Sequence, residues 1–125
     1  MKSAGREELP NIRERAFQFA LRIIKLCQHL ELRNGVCRAL ARQLLRAGTS
    51  VGANLEEAQA AQSKPDFISK NLIALKEARE TSYWLRLLTA SGEVREQVVS
   101  SLQQEVGELA RIVGAIVVSA RRGQR

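Results

Sequence analysis

Proline is nearly absent from this chain, with two in 125 residues, so long uninterrupted helices are permitted. Cysteine is equally scarce. Cys27 and Cys37 each fall among apolar residues at helical spacing, which predicts reduced core thiols rather than a disulfide framework. A single histidine, His29, leaves little from which to build a conventional metal centre. Aromatic residues amount to three Phe, one Trp and one Tyr, too few for an array of base-stacking platforms. No apolar run approaches the roughly 18 residues of a membrane span. The opening "MKSAGREELP" is charged and lacks the apolar stretch of a signal peptide. These absences predict a cytoplasmic chain without disulfides, cofactor or membrane segment.

What the chain does have is length and positive charge. One domain of 125 residues buries a core without staples. Hydrophobic residues at 45% and charged residues at 26% are ordinary for a globular chain. The net charge of +7, with a pI near 10.3, points to a polyanionic partner such as DNA or RNA.

Four helical segments follow from apolar periodicity. In the first, about 11–32, Ile12, Ala16, Phe19, Ala20, Ile23, Cys27 and Leu30 share one side, opposite Arg15, Gln18, Arg22, Lys25 and His29. "RNG" at 33–35 ends it, with Gly35 suited to a left-handed C-terminal position. The second, about 36–62, places Val36, Leu40, Leu44, Val51, Leu55 and Ala58 in register. "SKPDF" at 63–67 starts the third, about 64–90, with Ser63 as N-cap, Pro65 in the first turn and Asp66 at the positive dipole end. The fourth, about 93–122, carries Val98, Leu102, Leu109, Ile112, Val113, Ile116, Val117 and Ala120, and "RRGQR" closes the chain as a frayed basic tail. Short connections make this an all-α, up-down-up-down four-helix bundle.

The stretch "RAGTSVGAN" at 46–54 resembles a phosphate-binding loop in composition only. A Walker loop ends in Gly-Lys-Ser/Thr, which is missing, and the helical period runs straight through it. Ala41, Gly48 and Gly52 instead line up beside the apolar stripe, where small residues admit a second helix. The third segment is apolar on more than one side: Phe67, Ala74, Ala78 and Leu85 form one stripe flanked by Ile68, Leu72 and Leu75. Ile73, Trp84 and Leu87 lie elsewhere, which calls for a second covering surface, a subunit interface.

Catalytic patterns are sparse. Di-iron bundles need Glu-x-x-His, and Leu26 precedes His29 by three. Arg22 and His29 share a face, as in some helical ribonuclease toxins, or simply belong to a solvated face. Glu77/Glu80, Glu93/Glu96 and Glu105/Glu108 have the i, i+3 spacing that holds Mg²⁺ in helical nucleotide hydrolases. Arg79 interrupts the first pair, and Glu105 falls within an apolar arc, where an arginine from another helix would neutralise it.

Residues 41–88 resemble the 23S rRNA intervening-sequence proteins, a four-helix-bundle family. The match lies in Gln43, Arg46, Ala47, Ser50, Asn54 and Glu57 on the second helix. On the third it lies in Asp66, Phe67, Ala78, Glu80, Thr81 and Leu85, with "ALKEARET" the most distinctive run. The resemblance implies a bacterial cytosolic bundle with no established enzymatic activity that assembles as a cyclic homopentamer. Accessory variability-determinant proteins of diversity-generating retroelements are similar; they are basic pentamers that bind nucleic acid and a reverse transcriptase.

Two functional readings remain. One is a non-enzymatic oligomeric scaffold for nucleic acid or a nucleic-acid enzyme such as a reverse transcriptase. The other is a metal-dependent nucleotide hydrolase using the paired glutamates. For the first, Arg38, Arg42 and Arg46 recur every four residues over about 12 Å of helix. Arg22 and Lys25 on the first helix join them as candidate phosphate contacts. Ile73, Trp84 and Leu87 are the candidate subunit contacts. Binding is expected to be phosphate-driven and weakly sequence-specific.

Overall fold

The structure is a computed structural model that describes residues 11–123. Its elements are four helices: α1 (Ile12–Glu31), α2 (Gly35–Gln59), α3 (Lys64–Ala90) and α4 (Glu96–Arg122). The connections 32–34, 60–63 and 91–95 are too short to cross the bundle, so each helix runs antiparallel to the one before. α2 packs on α1 and α3, and α4 packs mainly on α3 and more lightly on α1, while the backbones of the diagonal pairs stay further apart.

Side-chain caps fix three of the four starts. Asn11 accepts from Glu14 N–H at 2.8 Å, Asn34 from Cys37 N–H at 2.9 Å and Ser63 from Asp66 N–H at 3.1 Å. "RNG" therefore opens α2 as much as it closes α1. Asn34 is extended and caps, while Gly35 is the first helical residue and not a left-handed terminator. Among the described residues the left-handed glycine is Gly92, with φ of 82°, after α3. There the N–H groups of Glu93 and Val94 return to the Leu88 carbonyl, so α4 begins at Glu96, three residues later than the periodicity predicts. α2 ends at Gln59 rather than near 62, because the chain turns ahead of the Ser63 cap. Arg121 and Arg122 are still helical; the last two residues of the expected tail lie outside the described residues.

The core is built from Phe19, Ile23 and Leu30 of α1, Leu44 and Val51 of α2, Leu85 and Leu88 of α3, and Val106, Leu109 and Val113 of α4. In α4 the buried stripe runs through Val99 and Val106, while Val98, expected inside, is half exposed. Two polar side chains of α3 are buried with it. Each satisfies itself one turn back: Thr81 donates to the Glu77 carbonyl at 2.8 Å and Asn71 to the Phe67 carbonyl at 2.9 Å.

The glycines of α2 lie where α1 crosses. A Cβ at Gly48 would sit 2.9 Å from Ile23 Cγ2, and one at Gly52 would sit 3.4 Å from Ala16 Cβ. "GTSVGAN" is thus helix stripped of bulk for packing. Both cysteines are free and buried, with Cys27 donating to the Ala41 carbonyl at 3.3 Å. Burial, aided by Glu31, pushes the Cys27 thiol up to about 11, so at neutral pH it stays protonated.

Candidate nucleic-acid interface

The three arginines of α2 differ in what holds them. Arg46 reaches across to α3 and pairs with Glu80, with a second bond to Glu77 at 3.3 Å. Its charge is neutralised within the fold. Arg42 is mostly exposed and 3.8 Å from Glu31, a loose pair. Arg38 is exposed and donates only to the Arg33 carbonyl, at 3.0 Å. On α1, Arg22 is exposed and donates to the Ser101 hydroxyl, and Lys25 is exposed. No described carboxylate lies within ion-pair distance of Arg22, Lys25 or Arg38.

Of the paired glutamates all but the exposed Glu96 are engaged by the protein's own donors. Arg15 of α1 donates to Glu105 through Nε at 3.1 Å and a terminal nitrogen at 2.7 Å, and that nitrogen also meets Glu108 at 2.8 Å. This is the arginine that the apolar setting of Glu105 calls for. The Arg15 bond holds the Glu108 carboxyl below the ordinary carboxylate value, against the opposing effect of burial. Glu77 and Glu80 share Arg46, and Glu80 also accepts from the Trp84 indole at 3.0 Å. Glu93 accepts from Asn34 at 3.1 Å and from the Cys37 thiol at 3.2 Å, two bonds that lower its pKa. Among the described residues no group of three or more His, Cys, Asp or Glu side chains converges as a metal site.

The three expected interface residues share one property: Ile73, Trp84 and Leu87 are all half-buried. Trp84 packs against the core edge, so it serves the monomer first. More exposed apolar side chains are found elsewhere, at Phe17 and Leu21 of α1, Val36 and Leu45 of α2, and Val118 of α4.

A basic face on α3 escapes a reading centred on α2. Lys76, Arg79, Tyr83 and Arg86, at i, i+3, i+7 and i+10, point outward together, and none of the three cations meets a described carboxylate. The signal was present, because arginines at 79 and 86 flank the sole tyrosine at helical spacing. The Arg46 pairing was legible too. Arg46 and Glu80 are equidistant from Ser63, the turn of the α2–α3 hairpin, and so face each other.

A family model described as 23S rRNA-intervening sequence protein matches residues 9–115. A crystal structure from Bacteroides thetaiotaomicron, described as a protein with unknown function from the S23 ribosomal protein family, is similar with a TM-score of 0.79 and 36% identity. It covers 86% of this chain and 98% of its own. Among curated proteins, none matches. A match over most of the length, on a bundle of the expected topology, makes this chain a member of the 23S rRNA-intervening sequence protein family.

Proposed function

We propose that the protein is a non-enzymatic, cytoplasmic scaffold that assembles as a cyclic homopentamer and holds nucleic acid by its phosphates. A nucleic-acid enzyme such as a reverse transcriptase is its protein partner. The observation that carries this reading is charge left over after folding. The ion pairs of the bundle occupy Arg13, Arg15, Arg46 and Lys70 and, loosely, Arg42, while Arg22, Lys25, Arg38 and the α3 cations face outward without a described carboxylate. Outward cations release counterions from a polyanion on binding, and a ring repeats each of them, so weak contacts add. The engagement of Glu77, Glu80, Glu93, Glu105 and Glu108 by arginine, asparagine or thiol donors supports binding over metal-assisted hydrolysis. The likeness to retroelement accessory proteins supports the choice of enzyme partner.

Binding to DNA or RNA in low salt tests this, with affinity expected to fall steeply as salt rises. Arg22, Lys25, Arg38 and Arg42 changed together to Gln should weaken binding and flatten the salt slope, by up to about 0.9 per lost duplex phosphate contact. Arg46 is left alone in that variant because it ties α2 to α3. No binding to any nucleic acid at low salt would overturn the proposal.

A further inference from the structure

Between the C-terminal half of α3 and the start of α4 lies a cleft of about 620 Å³, within the size range of small-ligand sites. Tyr83 and Arg86 line it from α3, Ser100, Gln103 and Gln104 from α4, and Val99 provides apolar floor. Tyr83 is 50% exposed. Its ring is braced from behind by Trp84, edge to face with centroids 5.3 Å apart. A half-exposed aromatic ring held rigid by a second ring offers a flat surface at low entropic cost.

Gln103 braces the cleft wall against α3. Its amide nitrogen donates to the Ser82 hydroxyl at 3.1 Å and to the Ser82 carbonyl at 3.4 Å, which fixes the amide with its oxygen turned away. That buried oxygen has no donor. Arg79, one helical turn before Tyr83, and Arg86 on the cleft wall have no described carboxylate partner. Glu96, at the far end of the lining, is the one acid there, so a phosphate is directed to the Arg79–Arg86 side.

A flat ring and two flanking cations match two parts of a nucleotide, the base face and the phosphate. We infer that the α3–α4 cleft takes an unpaired base of single-stranded nucleic acid, stacked on Tyr83 with its flanking phosphates on Arg79 and Arg86. This rests on the nucleic-acid reading and deepens it. A duplex keeps its base faces stacked inside, so the cleft selects single strands, with little preference among bases.

The sole tryptophan abuts Tyr83, so its emission reports on the site. The intact protein is titrated with short oligoadenylate, its duplex with oligouridylate, inorganic polyphosphate of matched charge, and AMP. Trp84 emission and the anisotropy of labelled strands are followed. The single strand should quench Trp84 and bind at least about tenfold more tightly than polyphosphate or duplex. Tyr83→Ala should remove about tenfold of that affinity, whereas Tyr83→Phe, which keeps the ring, should retain it. Circular dichroism confirms that the exposed substitution leaves the helices intact. Equal binding of polyphosphate, or unchanged single-strand affinity in Tyr83→Ala, overturns the inference while leaving phosphate-driven binding standing. AMP binding as tightly as the strand overturns it in favour of a free nucleotide. Absence of binding to every probe overturns both readings.

Discussion

Three glycines make a graded test of packing at single positions. At Gly48 an added Cβ meets the branched side chain of Ile23, which is fully buried and has nowhere to go. Gly48→Ala should therefore destabilise by about 1–3 kcal/mol, although alanine gains about 1 kcal/mol in helix propensity. At Gly52 the nearest atom is the Ala16 methyl at 3.4 Å, an ordinary contact, so Gly52→Ala should be close to neutral. Nothing lies within 4 Å of a Cβ at Gly114, and there alanine should stabilise by about 1 kcal/mol. Urea unfolding of the three variants checks the order; stabilisation at Gly48 would show that α1 does not press on it.

The carboxylates give a pH prediction at the same scale. Glu108 and Glu93 both titrate below the ordinary 4.5 in the folded protein. Lowered carboxyl values stabilise the fold above the unfolded pKa, and that contribution disappears as pH falls through the folded value. Stability should thus decline below about pH 4.5, and Glu108→Gln should make the acid limb shallower. An acid limb unchanged in the variant would mean that Arg15 does not hold Glu108 in solution.

At the scale of elements, amphipathic helices were legible and their ends were not. α1 shows its buried side directly: Ala16, Phe19, Ile23, Cys27 and Leu30 are all expected inside and all buried. Ser63, Pro65 and Asp66 announced α3 because capping chemistry is local. "RNG" was ambiguous because Asn caps a start as well as Gly completes a stop, and only tertiary packing chooses between them. The sequence predicts a two-sided α3. Part of that second side turned out to be internal, since Trp84 packs on the core edge and gives its N–H to Glu80. Trp84→Ala should accordingly cost about 3 kcal/mol of folding stability. Ion pairs between helices depend on register, which periodicity alone does not supply; Arg46 consequently looked like a free cation.

For the whole molecule, the prediction concerns assembly. Light scattering at micromolar concentration should return a mass near five times the 13.9 kDa of the chain. Ile73→Ser, away from the α3–α4 cleft that Leu87 lines, should lower that mass while the helical spectrum persists. A monomeric mass for the parent protein would remove the ring from the proposal.

The light packing of α4 on α1, held by Arg15 on Glu105 and Glu108, also has a kinetic consequence. The α2–α3 hairpin closes a short loop, whereas the α1–α4 seam joins residues about 90 positions apart. Short closures cost less chain entropy and form earlier. The hairpin should be structured in the folding transition state and the seam should zip last. Arg15→Gln, which weakens only the seam, should speed unfolding several-fold in stopped-flow experiments and leave the refolding rate unchanged. The last contact to form would then set the lifetime of the native bundle.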